Sequence, residues 1–488
     1  MKKIHILLLF LIGITFLSCT KNFEDFNTDK KKATVVPAQF LFANAQKALA
    51  DQYSSTNVNL NNWKLFAQYW TETTYTDESN YDVITRNIGS LLFRAYYRDM
   101  LVDLKEARRL ITEQEVVGDL ATINKSNRLY TIDLLEVYIY EQLIVIFGDV
   151  PYTEALDPDN LSPVYDDAFT IYKDLLTRAK AAADGLNDGI DPVTQELYGN
   201  FGGDDLMMGG DVTMWKKFGN TLIVKMGMTI STVDAGLAKD YVEGAYANGY
   251  AFGERCEFAY LGGANSNPLY QDLIQGGRHD FVPANTIIDL MTGLTDPRMP
   301  KYFEINGEVY AGGIYGESSP FSQLSHVSDR IQEDTYASVM LDYMDMAFYL
   351  AEAAERGFSV GGSAAEWYAN GIKSSMDYWG VDAAEADAYL AQANVAYATA
   401  PGDWKAKIGT QAWLGYYVRG LEGWTSYRRL GAPVMNIPPA PEESADGAVP
   451  RRHTYAINEQ TLNGASYAAA ASAIGGDKLS TKLFWDKN

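Results

Sequence analysis

Apolar residues recur at intervals of three and four along most of the chain, the spacing that gathers them on one face of a helix. Read this way, helices are predicted over 38–52, 59–72, 90–114, 123–147, 165–184, 211–231, 284–292, 341–357, 364–379, 383–397, 403–419 and 421–429. Strand-like alternation is scarce. Its best instance is "KYFEINGEVYA", 301–311, read as a β-hairpin turning at Asn306-Gly307. Two stretches are rich in turn-forming residues, 185–210 and 249–335. The pattern therefore predicts a mostly α fold. Tetratricopeptide-like helical hairpins form a scaffold, with a loop-rich insert at about 249–335 and minor β-hairpin content.

The hairpins rest on small residues at fixed offsets. Ala347 and Leu350 share a face of one predicted helix, and Ala364, Tyr368 and Gly371 follow a 0, 4, 7 spacing on the next. A second pair, 123–147 with 165–184, is more degenerate. No strict period survives, which argues against a plain solenoid. Aromatic residues obey the same logic. Trp63, Phe66 and Trp70 fall at i, i+3, i+7, and Trp413, Tyr416, Tyr417 and Gly420 suit helix packing. Trp424 and Arg428 follow at i, i+4. These are expected in the core.

The N-terminus breaks the pattern. Lys2 and Lys3 precede an apolar run, Ile4 to Leu17, that stops at Ser18-Cys19 and gives way to "TKNFED". A positive end and a short apolar run read as a signal peptide over 1–18. The run is too short for a comfortable membrane span. Leu17-Ser18-Cys19 looks like a bacterial lipobox, with Cys19 the lipidated residue and 19–36 a lipidated flexible stem. An ordinary secretory signal is the alternative. Residues 37–488 are expected to form one domain. The apolar stretch Leu134–Phe147 carries Glu136 and Glu141 and reads as a buried helix.

Charge narrows the partners. The chain of 488 residues has a net charge of −23. Without Lys2 and Lys3, 38 bases face 63 acids, a charge of −25. Such a surface repels nucleic acid and anionic headgroups. The expected membrane contact is through the lipid anchor alone. Cys256 has no second cysteine to pair with beyond Cys19, so no disulfide framework is expected.

Catalytic signatures are missing: no HExxH, GxSxG or Walker loop is found, and no dinucleotide fingerprint. His279, His326 and His453 lie at no metal-ligand spacing. The chain is expected not to be an enzyme and to need no cofactor. Asp204, Asp205 and Asp211 in the glycine-rich loop could offer hard oxygens to Ca²⁺, but they lack EF-hand order, and a solvated loop is the preferred reading. Arg428-Arg429 and Arg451-Arg452 are expected to clamp buried carboxylates.

A series of stretches, in order, resembles the SusD/RagB-like outer-membrane nutrient-binding lipoproteins. They include Cys19, "FAQYWTETTYTDESNYD" (66–82), "FGDVPYTEAL" (147–156), "MWKKFGNTLIVKMGMTIS" (214–231) and "GGRHDFVPANTIIDLMTGLTDPRMPKYF" (276–303). "MDMAFYLAEAAERGF" (344–358), "KIGTQAWLGYYVRGLEGWTSYRRLGAP" (407–433) and "VPRRHTYAINEQTLN" (449–463) continue it. Ala456 departs from the family pattern, which usually has proline there. The resemblance implies a lipoprotein on the outer face of the outer membrane. It would capture oligosaccharides or peptides as the lid of a SusC-type TonB-dependent transporter. The alternative is a structural or assembly lipoprotein gripping a protein partner through its helical repeats.

A glycan site needs aromatic faces and a few polar groups in a concavity. Tyr75 and Tyr81 lie in the polar segment "TETTYTDESNYD", with Asn80 and Asp82 beside them. The insert supplies Asn265, Asn267, Tyr270, Arg278 and Asp280. These nine are the candidate ligand-binding residues. For Arg278, and for Asp296-Pro297-Arg298, an ion pair fixing a turn is an equal reading.

Overall fold

Helices packed in antiparallel pairs make up most of the molecule, a computed structural model that describes residues 36–249 and 254–488. Ala38–Asn488 clusters as one compact unit. The signal peptide, Cys19 and nearly all of the stem lie outside the described residues.

The clearest hairpin joins helices Tyr343–Glu355 and Ala364–Tyr378. Both begin with a reciprocal capping box, Asp342 with Asp345 and Ser363 with Glu366, which satisfies donors at the helix start. Gly371 lets the two approach: a Cβ there would meet the Phe348 ring at 2.8 Å. Ala347 and Leu350 are buried on the facing helix. The second expected pair is helices Asp119–Phe147 and Ala168–Gly185, and Val212–Thr229 packs on the latter. The apolar run Leu134–Phe147 is buried throughout. Glu136 there meets Arg108 at 2.8 Å and Arg178 at 2.6 Å, and Glu141 meets Lys225 at 3.0 Å. Among the described residues, no helix is long and apolar enough to cross a membrane.

Several expectations need correction. The predicted helix 59–72 survives only as Trp63–Phe66. Gln68 takes a left-handed φ of 56°, and Trp70–Glu72 then pairs as a strand with Phe281–Pro283. Trp70 is buried as expected, but from a strand. The 90–114 helix runs from Ile88 to Glu113 with a π-helical stretch, Arg94–Leu101. The 383–397 helix ends at Leu390, and the 403–419 helix at Gly415. Asn306-Gly307 does not turn a hairpin. Phe303–Glu304 pairs instead with His326–Val327, and the Asn306 amide donates to the Ser322 and Leu324 carbonyls. Among the described residues, the strands pair as four two-stranded antiparallel ribbons. The insert is a set of such short elements, including strands Arg255–Phe258 and Phe281–Pro283 and helix Asn285–Leu294.

Of the arginine pairs, Arg429 meets Glu352 at 2.6 Å, Arg451 meets Asp486 at 3.3 Å and Arg452 pairs with Asp477. Among the described residues, Arg428 meets no carboxylate within ion-pair distance. It donates to the Val145 and Arg451 carbonyls and lies 3.4 Å from the Trp424 ring centroid. Arg298 and Asp296 form a fully buried ion pair at 2.6 Å, the turn-fixing reading. Asp205 accepts from the Trp215 indole and the Met208 and Gly210 amides, and Asp211 caps helix Val212–Thr229. Those carboxylates serve the fold. Among the described residues, no His, Cys, Asp and Glu group is arranged to hold a metal.

Candidate functional site

The ribbon of Trp70–Glu72 and Phe281–Pro283 positions the site. Glu72 lies opposite Phe281, and the ladder continues as the Thr73 amide donates to the Asp280 carbonyl at 2.8 Å. The chain leaving Glu72 and the chain arriving at Phe281 therefore run side by side. One carries Tyr75, the other Arg278 and Asp280. A cleft of about 260 Å³ opens between them and the segment 56–59.

The Tyr75 loop is closed at its base. The Ser79 amide donates to the Glu72 carboxylate at 2.8 Å, and the Glu72 amide donates to the Ser79 hydroxyl at 3.2 Å. Tyr75 stands 72% exposed at the cleft wall. On one side Arg86 meets Glu78 at 2.5 Å; on the other Arg278 meets Asp280 at 2.5 Å. Asp272 also lines the cleft and accepts from the Thr56 hydroxyl at 2.5 Å. Glu72 and Glu78 are buried and within hydrogen-bonding reach of each other. Burial, and then the Glu78 charge, push the Glu72 carboxyl up to about 9. Burial also raises Glu78. Such a wall offers a ring face for stacking and polar groups for hydroxyls.

Tyr75, Arg278 and Asp280 are the expected residues that meet in this cleft. Tyr81 does not join them. It is fully buried at a left-handed φ of 72°, packed against Phe66 and Tyr315, with Gln68 donating to its hydroxyl at 3.3 Å. Its ring faces are closed to a ligand. The Asn80 amide donates to the Thr76 and Gly316 carbonyls, and its oxygen accepts from the Ala440 amide. Asp82 accepts from the Ile84 and Thr85 amides, a local turn. Asn267 is buried and donates to the Tyr336 carbonyl. Asn265 closes a turn on Gly262, and Tyr270 ends a short helix. Neither they nor Asn267 line the cleft.

Sequence reasoning missed Glu72, Glu78, Arg86, Asp272, Phe281 and the 56–59 segment. Glu78 stood in the polar stretch that was singled out. Glu72 lies in that stretch too, at the end of the predicted helix 59–72, and the same predicted helix hides Asn59. A second cleft, about 30 Å³, lies among Tyr336, Tyr378, Trp379, Tyr417 and Arg419. It has room for two or three waters, not a sugar ring.

The family model described as "Starch-binding associating with outer membrane" matches residues 30–456. The chain belongs to the SusD-like family. Its fold is also that of solved relatives. A chitin-binding protein shares 24% identity over 92% of this chain and 100% of its own, with a TM-score of 0.78. A chitin-binding SusD homologue from Flavobacterium johnsoniae shares 20% over 92% and 98%, with a TM-score of 0.76. A SusD homologue from Parabacteroides distasonis shares 21% over 92% and 98%, with a TM-score of 0.77. No curated protein matches the sequence.

Proposed function

We propose that this SusD-like chain is a cell-surface lipoprotein that captures oligosaccharides in the cleft at Tyr75. It then passes them to a SusC-type TonB-dependent barrel in the outer membrane, for which it acts as the lid. The observation that carries the site is the exposed Tyr75 ring in a concavity, flanked by two arginine–carboxylate pairs. A protein has little structural reason to leave a tyrosine face bare there, whereas a pyranose ring stacks on it. Side chains at the wall can then bond the hydroxyls. The starch-binding family and the chitin-binding relatives favour a glycan over a peptide. Binding without turnover is the proposed role. Calorimetry with maltohexaose and chitohexaose tests it, since binding that depends on Tyr75 is expected for at least one. Co-purification from native membranes in mild detergent tests the barrel partner.

A further inference from the structure

The charges around the cleft carry an inference about which glycans it accepts, and it rests on the reading of this cleft as a glycan site. Four carboxyl groups line the cleft: Glu72, Glu78, Asp272 and Asp280. Two guanidiniums, Arg86 and Arg278, line it as well. Each is already engaged, Arg86 by Glu78 and, at 3.9 Å, Asp77, and Arg278 by Asp280. The nearby ammonium of Lys64 is turned away. It is buried, it donates to the Ser54 and Ser55 carbonyls, and it does not line the cleft. Among the described residues that line the cleft, an incoming anion therefore finds no free cation. It does find Asp272 and the Glu78 carboxylate. Glu78 is fully buried, with one oxygen 2.5 Å from the Arg86 guanidinium and Glu72 within hydrogen-bonding reach. The oxygens of Asp272 and Asp280, which line the cleft, suit a donor such as a sugar hydroxyl and repel a carboxylate or sulfate.

We propose that the cleft selects uncharged saccharides and rejects those bearing carboxylate or sulfate groups. The proton kept on Glu72 agrees with this: the site already disfavours one more negative charge. Arg278 and Asp280 form the adjustable part of the filter. Their pair is exposed and sits at the end of the ribbon, where the Asp280 backbone, not its side chain, bonds Thr73. Asp280→Asn would leave that backbone bond in place and free Arg278 to meet an anionic sugar.

The test uses maltohexaose and chitohexaose, each compared with its C6-oxidised uronate counterpart, by calorimetry on the lipid-free mature chain. The neutral chain that binds should bind at least about tenfold tighter than its oxidised partner, and added salt should narrow that gap by screening the repulsion. Asp280→Asn, checked by thermal melting, should bring the ratio toward one. Oxidised chains that bind as well as neutral ones, while Tyr75→Ala weakens both, would overturn the charge filter and leave the glycan site standing. An Asp280→Asn ratio equal to that of the wild type would also overturn it. If neither neutral hexamer binds, or if Tyr75→Ala changes nothing, the cleft is not the glycan site and the filter falls with it.

Discussion

The indole rings of Trp63 and Trp424 lie stacked, 5.4 Å between centroids and 10° between planes. One comes from the short helix before the site ribbon, the other from helix Gly420–Leu430. Their backbones come as close as their rings: a Cβ on Gly420 would strike the Lys64 amide at 2.4 Å. This contact fixes the platform from which the strand Trp70–Glu72 departs.

Trp63→Ala should therefore act on stability. Removing a buried indole leaves a cavity worth about 3–5 kcal/mol. Denaturant unfolding should show that loss, while the fraction still folded binds ligand with normal affinity. A folded, stable variant with weakened binding would place Trp63 in the site.

Tyr75 and Tyr81 should separate cleanly. Tyr75→Ala is expected to cost on the order of 1–3 kcal/mol of ligand affinity, by analogy with stacking on other aromatic platforms, with melting unchanged. Tyr81→Ala should instead lower stability by several kcal/mol, because its buried ring packs on Phe66 and Tyr315. Calorimetric titration and thermal melts on both variants check this. A Tyr81 variant that melts normally would contradict its burial.

Glu72 should make stability depend on pH. The folded chain keeps a proton on Glu72 up to about 9, whereas an unfolded glutamate releases it near 4.5. Between those values unfolding releases a proton, so stability falls as pH rises. Glu72→Gln cannot ionise, and should gain on the wild type steadily from about pH 5 to pH 9. Parallel pH profiles for the two proteins would mean that Glu72 titrates as an ordinary carboxylate.

Lys225 sits between two buried carboxylates, 3.0 Å from Glu141 and 2.8 Å from Glu422, and Tyr53 donates to Glu422 at 2.8 Å. Lys225→Met would leave two acids in the core without their cation. It should cost about 3–5 kcal/mol, and replacing both acids by glutamine in the same chain should return part of that. Chemical denaturation of the single and triple variants decides. A single variant as stable as the wild type would show that the acids are already neutral.

Cys19→Ala should release the protein from the membrane. Each buried acyl CH₂ contributes roughly 0.8 kcal/mol of anchoring, and the proposed chains all hang on this cysteine. Palmitate labelling and fractionation are the measurements. A variant that still incorporates palmitate would place the lipid elsewhere.

The sequence by itself determined the helical character of the chain and much of its core. A period near 3.6 needs only neighbours along one helix, so Leu134–Phe147 and the face of Tyr368 and Gly371 could be read from spacing alone. The exposure of Tyr75 was legible for the same local reason, since its segment offered nothing apolar to pack on. Tyr81, in the same segment, was not. Its left-handed backbone turns it toward Phe66 and toward Tyr315, which arrives from the insert. Tertiary structure also decided that 59–72 would break at Gln68. The amide of Gln68 bonds Asn436 and Thr286, and the strand that follows pairs with Phe281–Pro283. Those partners lie far along the chain, and no local period encodes them. The cleft is their product. Segment 56–59, the Tyr75 loop and the chain before Phe281 each carry polar residues that read as ordinary loop. They become one polar wall only when a two-stranded ribbon holds them side by side.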